Sequence, residues 1–171
     1  MKKISVSALC RTGVIAAIYF CISVIFAPIS FGAVQVRVSE ALTILPTLSP
    51  LGIYGVTIGC LLTNIYGIST GANILGAADV FFGTMATFVS ALLTYKLRNV
   101  NFKGFPLLST LPPIIINAAV VGAELSFALM GSAFDSFFLL AFLQVGAGQI
   151  VSCCILGFFL YKAIIRAKIN L

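Results

Sequence analysis

The sequence predicts an all-α integral membrane protein: a six-helix transmembrane bundle with both termini on the cytoplasmic side and a long outer loop between helices one and two. Three observations carry that prediction. Of 171 residues, 61% are apolar and 8% charged, whereas soluble domains carry about a quarter charged residues. With a mean hydropathy of +1.18, the chain has too little polar surface to cover a water-soluble fold. Nine of the ten basic residues fall in three places: Lys2, Lys3 and Arg11, then Lys96, Arg98 and Lys103, then Lys162, Arg166 and Lys168. Finally, the sequence between these clusters is cut by turn signals into apolar segments, most of them long enough to cross a bilayer.

At 18.0 kDa the chain reads as one membrane domain over residues 1–171, without room for a soluble catalytic domain. The net charge of +6 does not point to nucleic acid, because the basic residues flank apolar segments. They fit cytoplasmic loop ends facing anionic lipid.

The first span covers about residues 12–28. Arg11 interrupts the apolar run and no clear small-x-small cleavage site follows, so it reads as a retained helix and not a signal peptide. In the loop 29–38, alternating Val34, Val36 and Val38 fit a short strand or hairpin arm. Ser39 fits an N-cap with Glu40 in the first turn of a short helix ending near Thr47. Residues 48–52 form a turn, and the third span covers about 51–66. A polar, glycine-rich loop follows over 67–76. The fourth span is about 77–95, the fifth about 106–130 and the sixth about 136–161. Pro112-Pro113 kinks the fifth or marks its start.

The second span is short. About ten α-helical residues rise only ~15 Å, half a hydrocarbon core. The alternative is one long helix over 39–66, giving five spans. That arrangement would leave the 96–103 cluster and the basic tail outside, against the positive-inside tendency. The turn around Pro50 also favours six.

On a six-span topology the outer half of the bundle collects the polar groups: Arg37, Glu40, Asn64, Asn73, Asp79, Glu124 and Gln144. An outward-open pocket closed below would give this distribution. Plainer readings exist for most of them. Glu40 and Asp79 suit helix N-termini. Arg37 and Glu40, three apart, suit an interfacial ion pair, and Asn64 and Gln144 suit interhelical hydrogen bonds. Glu124 has no basic residue near it in sequence, and an intramembrane carboxylate is a site candidate by default. Asn117, seven residues earlier, shares its helical face.

Gly13, Ala17 and Cys21, with Ala16 beside them, form a small-residue ridge on the first helix. It serves either packing within the bundle or docking of a partner. The five cysteines read as small packing residues, not as a disulfide frame or a metal site. Without histidine, Ser-His and Cys-His chemistry is excluded. No P-loop, HExxH or GxSxG is present, so ATP-driven work requires another subunit. Asp79 with Glu124 is a weak case for acidic intramembrane catalysis.

The stretch Val34-Gln35-Val36-Arg37-Val38-Ser39-Glu40-Ala41-Leu42-Thr43-Ile44-Leu45-Pro46, with Gly59-Cys60-Leu61-Leu62-Thr63-Asn64 and Asp79-Val80-Phe81-Phe82-Gly83-Thr84, resembles the QueT family. These are substrate-binding S components of energy-coupling factor (ECF) transporters for queuosine precursors. The resemblance implies capture of a 7-deazaguanine such as preQ1 from outside the cell membrane. It also implies docking through helix one on a transmembrane coupling subunit carried by two ATPases, with no cofactor in this chain. Such a ligand has N–H donors at N1 and the 2-amino group that suit a carboxylate. Its O6 suits an amide donor, and its aminomethyl cation suits a second carboxylate. Glu124 and Glu40 are then the expected carboxylates, with Asp79 in reserve. Asn64, Asn117 and Gln144 are the amides, and Arg37 is expected to orient Glu40 or the capping loop. Other readings are an S component for another heterocycle or vitamin, a small membrane enzyme, or a channel-like oligomer.

Overall fold

The computed structural model describes residues 5–31, 36–100, 102 and 104–169. Helix α1 covers Val6–Ile25 and a single turn, α2, Ala27–Ser30. A 3-10 helix, Val38–Thr47, leads through a turn into α3, Leu51–Ser69. Helix α4 is Ala77–Leu97, and a 3-10 turn, Leu107–Thr110, opens α5, Leu111–Met130. The last passage is α6, Ser136–Gln149, a π-helical stretch, Ile150–Leu156, and α7, Gly157–Arg166, run end to end.

Five helical stretches among the described residues are long and apolar enough to cross a membrane: Val6–Ile25, Leu51–Ser69, Ala77–Leu97, Leu107–Met130 and Ser136–Arg166. Proline at the start of α5 takes positions where no intrahelical N–H bond is lost, so Pro112-Pro113 marks a beginning and not a kink. Large apolar side chains such as Phe81, Leu143 and Phe159 face outward, while Ser23, Thr63, Asn64 and Thr94 are buried. Polar inside and apolar outside is the arrangement of a protein solvated by lipid.

The expected second helix has the expected bounds but another geometry. Val38–Thr47 is a 3-10 helix with Pro46 inside it. At ~2 Å per residue it extends about 20 Å, a third further than an α-helix of ten residues. Ser39 does not cap it: Arg37 holds the cap position, and Ser39 Oγ instead accepts from Ser23 Oγ at 2.7 Å. Such irregular backbone is tolerated at membrane depth only when enclosed by protein. Residues 39–46 are all buried, packed by α1, α3, α4, the π stretch and α7. The expected strand does not form at Val36 or Val38. Val36 N–H donates to Ile29 O, and Val38 opens the 3-10 helix. Val34 lies outside the described residues.

Contacts fix how the elements run. Gly55 lies against Ile15 and Gly59 against Tyr19, so α1 and α3 are parallel. Between them in sequence, the 3-10 helix descends: Ser39 meets Ser23 and Glu40 meets Tyr19. The pairs Asn64–Asp79 and Cys60–Thr87 make α3 and α4 antiparallel. Thr94–Ser109 does the same for α4 and α5, and Gly122–Phe142 for α5 and α6. The chain therefore reverses direction at every connection. An apolar cluster of Ile15, Leu42, Leu45, Ile53, Val56 and Ile164 fills the end that carries the basic residues. The opposite half holds Arg37, Glu40, Asn64, Asp79 and Glu124.

Candidate functional site

Glu40 enters the bundle on the enclosed 3-10 helix and is 1% exposed. Tyr19 Oη donates to its Oε1 at 2.5 Å, and Asn117 Nδ2 to its Oε2 at 3.3 Å. Three elements, α1, the 3-10 helix and α5, thus meet on one carboxylate. Gly59 permits this. A Cβ there would stand 2.6 Å from Tyr19 Cβ, so only glycine lets α3 press the ring into place.

Arg37 does not pair with Glu40. Its Nη2 lies 2.8 Å from Asp79 Oδ2, with both side chains buried. Arg37 is the extended cap residue before the 3-10 helix (φ −79°, ψ 97°) and reaches the start of α4, whereas Glu40, inside the helix, reaches α1 and α5. Arg37 Nε also donates to Ser30 O at 3.4 Å, and its guanidinium stands 5.8 Å from the Phe31 ring centre. Burial, the largest single influence, would lower the Arg37 pKa; Asp79 first, then Cys60, Tyr19 and Glu40, together outweigh it and hold the guanidinium above its ordinary value.

Asp79 is more than a helix N-terminal acid. Its Oδ2 also accepts from Asn73 Nδ2 at 2.7 Å, and Asn64 Nδ2 donates to its main-chain oxygen at 2.8 Å. Its Oδ1 has no partner and leans over Gly83, where a Cβ would overlap it. Glycine at 83 is therefore a condition of the ion pair.

Glu124 stands apart on α5. Both carboxylate oxygens are shielded from solvent and have no hydrogen-bond partner among the described residues. It lines a cavity of about 560 Å³ whose other walls include Leu75, Ala78, Phe82, Phe127 and Ala128. Those walls are apolar, and Phe82 and Phe127 also reach the outside of the bundle. This half of the bundle holds, among the described residues, three shielded carboxylates (Glu40, Asp79 and Glu124) and the Arg37 guanidinium, while the fourth acid, Asp135, is exposed and caps α6. Among the described residues, no cluster of three His, Cys, Asp or Glu fit for a metal is found.

The structure thus joins Glu40 to Asn117, and Arg37 to Asp79 and Asn64. It leaves Glu124 on its own cavity and Gln144 half-buried with no side-chain hydrogen bond to a described residue. Sequence reasoning missed Tyr19, Ser23 and Gln149. Tyr19 and Ser23 are spaced by four on the buried face of α1, a periodicity that identifies them once that face is known. On α1, Gly13, Ala17 and Cys21 are exposed along one side, whereas Ala16 is buried against α3. Ala16 therefore does not belong to the exposed ridge: 100° per residue turns it inward.

The family described as QueT transporter has a model that matches residues 9–166. No curated protein and no solved structure matches the chain.

Proposed function

The chain belongs to the QueT transporter family, and from that premise we propose that it is the S component of an ECF-type uptake transporter. In this reading it captures a cationic 7-deazaguanine queuosine precursor, preQ1 or a close relative, from outside the cell membrane. The observation that carries the reading is Glu124: a buried carboxylate with neither oxygen partnered, on an apolar cavity of about 560 Å³. Leaving a charge so placed is costly unless a ligand completes it. A cationic amine supplies the missing charge and N–H donors, and Phe82 and Phe127 offer faces for a flat base.

The topology belongs to the same proposal. The 3-10 helix serves as the second of six passes, shortened but enclosed. Arg11, Lys96, Arg98, Lys162, Arg166 and Lys168 then share the cytoplasmic side with both termini. ATP is hydrolysed by two partner ATPases, and the exposed line Gly13, Ala17 and Cys21 meets the transmembrane coupling subunit. This chain itself contributes binding and no catalysis, and it needs no cofactor.

The test is the mass of whatever remains bound after purification in mild detergent. One equivalent of a 7-deazaguanine is the expected result; a different heterocycle would keep the S-component reading and change its substrate. Flux of the base into liposomes holding this chain alone, without ATPases, would overturn the reading.

A further inference from the structure

We propose that Gln149, and not an amide singled out from the sequence, reads the ring carbonyl of the bound base. Together with Glu40 it holds the guanine-like edge, which assigns the cationic arm to Glu124. The inference rests on the S-component reading and deepens it.

Several buried amides meet in this part of the bundle, and most of them already donate. Asn64 Nδ2 is spent on Asp79 O at 2.8 Å. Asn73 Nδ2 gives one of its two hydrogens to Asp79 Oδ2 at 2.7 Å, and Asn117 Nδ2 one of its two to Glu40 Oε2 at 3.3 Å. Gln144 lies half-buried at the edge of the inward face of α6. Gln149 is 3% exposed, at the centre of that face. Its Oε1 accepts from Cys153 Sγ at 3.3 Å, and its Nε2 has no hydrogen bond to any described residue. Nε2 is not among the fully shielded polar atoms that lack a partner, so its two hydrogens remain open to a small ligand, and they are the donors a ring carbonyl requires.

Gln149 also sits beside the right carboxylate. The Cys153 thiol that it accepts from lies 3.7 Å from the main-chain oxygen of Glu40 and 3.5 Å from Thr43 Oγ1. On the far side, Ala118, next to Asn117, faces Gly146, one turn from Gln149. Glu40, Asn117 and Gln149 therefore occupy one level of the bundle. The backbone widens into the π stretch at Ile150, directly after Gln149, and such local departures from the α-helix gather at functional sites.

An amide donor next to a carboxylate acceptor complements the carbonyl, N1–H and 2-amino edge of a guanine-type base. Asn117 to Glu124 is seven residues, about 10 Å along α5. A bicyclic base with a short aminomethyl arm, hydrogen-bonded at each end, spans a similar length. Glu124, unpartnered and in apolar surroundings, is suited to the cation.

The test uses the full chain in detergent, titrated calorimetrically with three compounds. These are 7-aminomethyl-7-deazaguanine, its 7-cyano counterpart, which has no cation, and the aminomethyl analogue lacking the ring carbonyl. Gln149→Leu should lower affinity for the first compound roughly 10- to 100-fold and leave the carbonyl-free analogue within a few-fold. Glu124→Gln should cost the aminomethyl ligand and spare the cyano one. Gln144→Leu should change neither ratio. Gln149→Met, closer in shape, repeats the measurement should Gln149→Leu elute as aggregate. Equal losses on all three compounds, no loss, or a carbonyl-selective loss from Gln144→Leu overturns the assignment and leaves the S-component reading standing. Failure of the unaltered chain to bind any of the three overturns both.

Discussion

Replacing Asp79 by Asn tests the Arg37–Asp79 pair where its energetics are most exposed. Arg37 is 4% and Asp79 0% exposed, and they meet at 2.8 Å. Asp79→Asn keeps the shape and removes the charge, so a buried guanidinium loses its ion-pair partner and keeps neutral contacts such as Ser30 O, the Cys60 sulfur and the Phe31 ring, with Glu40 the remaining acid that acts on it. Breaking a buried pair from one side costs about 3–5 kcal/mol. For a chain of this length that corresponds to a loss of roughly 6–20 °C in Tm. Arg37→Met alone should cost about as much, because Asp79 then keeps Asn73 as its one side-chain donor. The double variant removes both charges, and replacing a buried pair by apolar groups is often close to neutral. It should therefore be more stable than either single variant, with a coupling of about 3 kcal/mol or more. The assay is thermal unfolding in detergent, backed by SDS titration in mixed micelles. A double variant whose loss equals the sum of the single losses would refute the reasoning, as would a Glu40→Gln variant that abolishes the coupling.

Glu124→Gln should weaken binding of a cationic base at least tenfold while leaving Tm unchanged or raised, since it removes a buried charge that has no partner; calorimetry and thermal unfolding on one preparation check both signs. Gly59→Ala places a methyl 2.6 Å from Tyr19 Cβ. It should cost about 1–3 kcal/mol through overpacking and reduce ligand affinity by shifting Tyr19 off Glu40. Binding at the parent's strength would show that the tyrosine does not position that carboxylate. Ala17→Trp, on the exposed side of α1, should abolish ATP-driven uptake in the assembled transporter and spare binding by the isolated chain. Loss of both would assign the ridge to internal packing.

The sequence made legible what depends on local pattern. Hydropathy located the long apolar stretches, and proline and glycine located their ends to within a few residues: Pro112-Pro113 does open α5, and Pro50 does precede α3. The basic clusters 96–98 and 162–168 do share one end of the bundle with Arg11, as the reversals of direction require. The concentration of Glu40, Asn64, Asp79 and Glu124 in the opposite half was also readable, because alternating spans fix depth from position alone.

Partner choice was not legible. Arg37 lies three residues from Glu40 and 42 from Asp79, yet it pairs with the distant acid. Sequence spacing decides which side chains share a face only within a helix, and Arg37 is the extended cap residue outside Val38–Thr47. The Glu40–Asn117 contact crosses 77 residues, and Gln149 was passed over for Gln144 because the inward face of α6 is set by its neighbours. A uniformly apolar helix carries little amphipathic signal to say which side faces protein and which faces lipid. Apolar composition by itself therefore committed this chain to the membrane and to its helices. Which buried charges meet was decided by close packing at positions such as Gly59 and Gly83, where the absence of a single carbon sets what can approach.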